Sequence, residues 1–147
     1  MTISDSSTIR VLLLEDEAFI RQTIAIMMRA FQNIEMREGA DGTEGLRLMD
    51  EGFCPDVVLC DVNMEPMDGL TFLRQLRASH DPARMAVHVI MLTAASDPDT
   101  VRAAKTLKVS GYLVKPVSVA RLAERLTAAL QSGQGQAVIS PVAPKVL

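Results

Sequence analysis

The chain has 147 residues, the size of one ordinary domain, and its 48% hydrophobic content is ample for one core, so a second catalytic domain within it is not expected. A net charge of −3 and a pI near 5.3 give no broad basic footprint, which argues against direct nucleic-acid binding. No apolar run approaches the roughly 18 residues that a membrane-spanning helix needs, and the N-terminus lacks a basic-then-apolar signal pattern, so a soluble, cytoplasmic protein is expected.

Residues 1–8 are polar and are expected to be flexible. Ile9 to Leu14 contains Val11-Leu12-Leu13-Leu14, a continuous apolar run that predicts a strand buried on both faces, and it ends at the acidic cluster Glu15-Asp16-Glu17. Ile20, Ile24, Met27, Met28 and Phe31 then recur at helical spacing. A weaker strand is predicted over Ile34 to Arg37. Asp41-Gly42-Thr43-Glu44 supplies a turn and a cap for a helix carrying Leu46, Leu48 and Met49, which Gly52 closes.

The second strong apolar run, Val57-Val58-Leu59-Cys60, delivers Asp61 to its far end and breaks into a loop containing Pro66 and ending at Gly69. Asp68 is placed to cap a helix using Leu70, Phe72, Leu73 and Leu76, ended by Ser79-His80-Asp81-Pro82. Ala86 to Leu92 predicts a fourth strand running into Thr93. Asp97-Pro98 has the form of an N-cap followed by Pro at the first helical position. The helix it opens has a thin apolar stripe of Val101, Ala104 and Leu107, so it should be the most loosely held. Tyr112-Leu113-Val114 predicts a fifth strand ended by Lys115-Pro116, and Ser118 can cap a last helix with Leu122, Leu126, Ala129 and Leu130 buried. Residues 132–147 lack periodicity and predict a flexible tail.

Cys54 and Cys60 have no metal-type spacing, and His80 and His88 have no partner at ligand spacing, so packing roles are expected and a transition-metal site is not. Five strands alternating with five helices argue for an α/β fold with one parallel sheet covered on both faces. Working residues in such sheets lie beyond the carboxyl ends of the strands. Four strand ends here carry Glu15 and Asp16, Asp61, Thr93 and Lys115.

Taken singly, Asp16 could be an N-cap, Asp61 a turn former, Thr93 another cap and Lys115 a solvated charge. Together, the clustered carboxylates would repel one another unless a cation compensates. The hard oxygen ligands favour Mg²⁺ over zinc, with carboxylates from Asp16 and Asp61, a backbone carbonyl after the strand, and water. A carboxylate beside such an ion can attack phosphorus and become an aspartyl phosphate. Lys115 could neutralise the transferred group, and Thr93 could hydrogen-bond one of its oxygens.

Four motifs occur in order: Leu12-Leu13-Leu14-Glu15-Asp16-Glu17, Asp61 through Met67-Asp68-Gly69, Leu92-Thr93-Ala94, and Tyr112-Leu113-Val114-Lys115-Pro116. With them the chain resembles the CheY-like, stand-alone receiver domains of two-component response regulators. The likeness implies a receiver domain over residues 9–131 with the family's flavodoxin-like (βα)5, doubly wound five-stranded parallel sheet of strand order 2-1-3-4-5. It implies Asp61 as phosphoacceptor, Asp16 as direct Mg²⁺ ligand, Glu15 as a ligand through water, and Asn63 as donor of a backbone carbonyl. Thr93 and Tyr112 correspond to the family's switch pair, Lys115 to its phosphate-contacting lysine, and the bond before Pro116 is expected to be cis. Implied partners are a sensor histidine kinase or histidine phosphotransfer protein and a downstream protein controlled through the helix after Asp97, the Tyr112 strand and the last helix.

Three residues depart from the family pattern. Glu15 stands where Asp is more frequent, Pro66 sits one place late, and Lys108 replaces a helix-ending glycine. These departures motivate a second reading, a constitutive interaction module that keeps the fold without the switch. An aspartyl phosphatase is disfavoured because Asn63, not an acid, stands two residues after Asp61.

Overall fold

The computed structural model describes residues 8–94 and 98–131. Its elements are β1 Ile9–Leu14, α1 Ala18–Met28, β2 Ile34–Gly39, α2 Gly42–Asp50, β3 Val57–Asp61, α3 Gly69–Arg77, α4 Pro82–Met85, β4 His88–Thr93, α5 Pro98–Thr106, β5 Gly111–Val114 and α6 Val119–Gln131. The five strands are parallel in the order β2-β1-β3-β4-β5. Because β1 and β3 are neighbours while the chain winds outward from each in opposite directions, the crevice at their carboxyl ends is the topological switch point.

The central strands have no exposed side because helices cover both faces of the sheet. Val11, Leu13, Val57, Leu59, Ile90 and Leu92 point to one face and pack with Ile24, Met28, Leu122, Leu126 and Leu130 of α1 and α6. Leu12, Leu14, Val58, Cys60, Val89 and Met91 point to the other and pack with Met49, Phe72, Leu73, Leu76 and Ala104 of α2, α3 and α5. This alternation is the two-residue period of a strand, and burial on both faces makes the sequence read as an unbroken apolar run. Leu12, Leu13 and Leu14 are fully enclosed, each contributing about 1.5–3 kcal/mol through burial.

The caps follow the sequence expectation at four places. Asp41 accepts from Glu44 N, Asp68 from Thr71 N, and Ser118 Oγ from Arg121 N. Gly52, in the left-handed region at φ 111°, ends α2. Two points differ. The alternative of Asp16 as the cap of α1 is set aside: the N-cap is Glu17, whose side chain makes no capping bond. Pro82–Met85 does not simply end α3 but forms the extra short helix α4, capped by the Asp81 side chain on Ala83 N. Strand β2 also runs two residues past Arg37, and β4 starts at His88 rather than Ala86.

Helix α5 begins at Pro98 and buries only Ala104 fully, in keeping with its thin stripe. The expected Asp97 cap, most of the N-terminal segment and the 132–147 tail lie outside the described residues. Lys108, where a glycine was expected, adopts φ 60° after α5, a conformation that disfavours any side chain with a Cβ. Four hydrogen bonds from Arg77 gather round that turn. Its guanidinium donates to Leu107 O at 2.8 Å, Lys108 O at 3.1 Å, Met85 O at 2.9 Å and Val87 O at 2.8 Å. One side chain of α3 thus closes the ends of both α4 and α5.

Candidate functional site

Asp61 closes β3, and Glu15 directly follows β1 across the switch point. Glu15 is completely enclosed and Asp61 is 5% exposed, whereas Asp16 faces solvent. One carboxylate oxygen from each of the three lies within 4.8 Å of the others. The sheet topology therefore joins acids 45 residues apart (61 − 16 = 45) at a single point.

A cation compensates this charge. Lys115 follows β5, two strands away from β3, about 10 Å at the usual interstrand spacing. Its extended side chain brings Nζ to 2.8 Å from Glu15 Oε1 and 3.1 Å from Asp61 Oδ2. Burial alone would lower the ammonium pKa, but the hydrogen bonds and charges of Glu15 and Asp61 outweigh it and raise the pKa above its ordinary value.

Glu15 is held at every polar atom described. Oε2 accepts from Glu17 N at 3.1 Å, the carbonyl accepts from Arg21 Nη1 at 2.7 Å, and the amide donates to Gly39 O at 3.1 Å. Arg21 also pairs with Glu38 at 3.6 Å. Arg21, on α1, thus braces the acidic loop from the helix side.

Thr93 ends β4 half-buried, and its carbonyl accepts from Lys115 N at 2.7 Å. Asn63 is exposed in the loop after Asp61. Tyr112 lies on β5, half-buried against the α5 side of the sheet, with its hydroxyl donating to Val101 O at 2.9 Å; that burial raises its pKa. The bond before Pro116 is cis, as expected, and so is the one before Pro66.

The loop between Asp61 and α3 is packed without slack. Gly69 N donates to Val62 O at 2.9 Å, and a Cβ on Gly69 would stand 2.2 Å from the Asp61 carbonyl oxygen. Only glycine permits that approach. The donors at the site are all oxygens, and they fit a hard divalent cation. The adjacent Cys60 thiol supplies no soft ligand: burial, reinforced by Asp61, Asp68 and Glu15, pushes its pKa far up, and Sγ contacts Asp61 O at 3.4 Å.

A doubly wound sheet with an acidic triad and a lysine at its switch point defines the class of receiver-type phosphoswitch modules. Residues 11–127 match the family described as the response regulator receiver domain, and the chain belongs to that family. It is 37% identical over 142 residues to the transcriptional regulatory protein LiaR of Bacillus subtilis, covering 95% of this chain and 63% of LiaR. It is also 37% identical over 113 residues to PdtaR, a transcriptional regulatory protein of Mycobacterium tuberculosis, covering 77% and 52%. The chain thus spans about half to two thirds of the curated relatives it matches.

Among solved structures it resembles a putative response regulator from Chloroflexus aurantiacus, with a TM-score of 0.75, 26% identity and coverage of 83% of this chain and 97% of that one. The chemotaxis response regulator CheY4 of Vibrio cholerae gives a TM-score of 0.73, 28% identity and coverage of 84% and 99%. The acidic triad is of the kind typical of the phosphoacceptor and metal site of receiver domains. No helix among the described residues is long and apolar enough to cross a membrane.

Proposed function

We propose that this chain is a phosphorylation-controlled switch in which Asp61 accepts a phosphoryl group from a histidine of a sensor kinase or phosphotransfer protein. The observation that carries the proposal is the Asp61 carboxylate at the end of β3, hydrogen-bonded by Lys115 within the acidic triad. A carboxylate oxygen of Asp61 attacks phosphorus, the new O–P bond forms as the donor N–P bond breaks, and the departing imidazole takes a proton from solvent.

Mg²⁺ is the ion we assign to the triad; when bound it would neutralise the acids and the transferring phosphoryl oxygens. Asp16 is the direct ligand in this reading because its carboxylate is exposed, and Asn63 offers its backbone carbonyl. Glu15, already committed to Lys115 and Glu17 N, acts through water. Lys115 exchanges Asp61 for the phosphoryl oxygens without leaving the site.

The readout follows from how lightly α5 is anchored. Thr93 moves its hydroxyl toward the new phosphoryl group, Tyr112 gives up Val101 O as its ring turns inward, and α5 shifts. The face formed by α5, β5 and α6 then presents a changed surface to a downstream protein. Backbone NMR with Mg²⁺ and then the phosphoryl mimic beryllofluoride tests the switch. We expect the mimic to displace Thr93, Tyr112 and α5 resonances. Spectra that respond to Mg²⁺ but not to the mimic would reject the switch in favour of a constitutive interaction module.

A further inference from the structure

Asp41 is the third enclosed acid among the described residues, 4% exposed, and it stands outside the triad at the turn from β2 to α2. As a cap it needs only Oδ1, which accepts from Glu44 N at 3.2 Å. Asn or Ser would cap equally well, and burying a carboxylate is costly, so capping alone does not account for an acid here. The second oxygen is used elsewhere. Oδ2 accepts at 3.1 Å from the amide of Met67, 26 residues away in the loop that follows Asp61.

Met67 is gripped from both sides, because its carbonyl accepts from Gly42 N at 3.1 Å. A Cβ on Gly42 would lie 2.8 Å from the Met67 side chain and 2.9 Å from Phe72 Cβ, so the backbones can meet only because residue 42 is glycine. At its other end the loop is closed by Gly69 N on Val62 O. Met64 anchors it from within at 4% exposure. Asn63 lies between these fixed points.

We infer that Asp41 is a positioning residue for the metal site, holding the Asn63 carbonyl at ligand position by clamping Met67. The inference rests on the proposed roles of Asp61 and Asn63. Asp41→Asn removes the clamp's acceptor, since Oδ1 can still cap Glu44 N while an amide nitrogen replaces the acceptor for Met67 N; the Thr43 amide and hydroxyl, which also hydrogen-bond the carboxylate, lie beside the cap and not in the Asp61 loop. Asp41→Ser is a second variant, which retains a capping hydroxyl but cannot bridge to Met67 at the same time.

The experiment measures Mg²⁺ affinity by NMR titration of the full chain, together with labelling by acetyl phosphate across a Mg²⁺ series and urea unfolding. Both variants should bind Mg²⁺ about 10-fold more weakly, as is typical when a group supporting a metal ligand is lost. Their labelling rates should recover at saturating Mg²⁺, because Asp61 and Lys115 are intact. Mg²⁺ affinity within about twofold of wild type in the folded variants overturns the inference, whatever the change in stability, and leaves the Asp61 reading standing. A wild-type chain that neither binds Mg²⁺ nor labels overturns both.

Discussion

Lys115 and Glu15 are 100 residues apart in sequence and 2.8 Å apart in space, joined at the carboxyl edge of the sheet with two strands between the ones that carry them. Glu15 is fully enclosed, and the Lys115 side chain is 16% exposed. The pair is therefore little screened by water. Lys115→Met should destabilise the chain by about 3 kcal/mol at neutral pH, the range for removing one partner of a buried ion pair. Urea unfolding measures it.

The pH dependence of that difference has a definite sign. The folded pKa of Lys115 is raised above the ordinary 10.5, so the folded state binds its proton more tightly than the unfolded state. Its contribution is complete below about pH 10.5 and lost as pH climbs through the folded value. The stability gap between wild type and Lys115→Met should thus stay flat through neutral pH and narrow only at strongly alkaline pH. Unfolding midpoints of both proteins across that range provide the check.

Gly69→Ala should be among the most damaging single-methyl additions in the chain. The added Cβ would meet the Asp61 carbonyl at 2.2 Å and Met91 Cε at 2.9 Å. Backbone cannot yield as a flexible side-chain end can, so a cost of about 2–3 kcal/mol is expected, with loss of phosphoryl uptake because Asp61 itself moves. Gly111→Ala is the control. Its nearest neighbour would be Arg125 Cδ at 3.9 Å, an ordinary contact, and stability should be unchanged within about 0.5 kcal/mol.

Arg77 binds four carbonyls from two segments, the ends of α4 and α5. Arg77→Lys retains a charge but cannot reproduce the planar fork, so it should cost about 2–3 kcal/mol, through orphaned carbonyls at the ends of α4 and α5. Hydrogen exchange should quicken at Leu107 and Val109, whose amides close the end of α5 on Ala103 and Ala104. Phosphoryl uptake should persist, since Arg77 lies at the opposite end of the sheet from Asp61.

Strands β1 and β3 were legible because burial on both faces leaves an unbroken apolar signature, and the site was legible because each strand end carried a chemically particular residue. Other features lacked any local trace. Helix α4 is four residues long and has no apolar stripe to detect. The grips of Asp41 on Met67 and of Arg77 on Leu107 join side chains to backbone atoms 26 and 30 residues away, and backbone atoms have no sequence identity. A cap at Asp16 stayed open as an alternative because the sequence cannot tell which residue of Glu15-Asp16-Glu17 is the last before the helix; it is Glu17. Lys108 was legible through a missing glycine: the turn after α5 takes the left-handed backbone that glycine favours, with a lysine in its place.

The most direct test of the central claim is intact-mass spectrometry after incubation with Mg²⁺ and acetyl phosphate, with the adduct located by peptide mapping. A single phosphoryl group on Asp61, absent without Mg²⁺ and absent in Asp61→Asn, is the predicted result. Undiminished labelling of Asp61→Asn, or no labelling of the wild-type chain at saturating Mg²⁺, would contradict it.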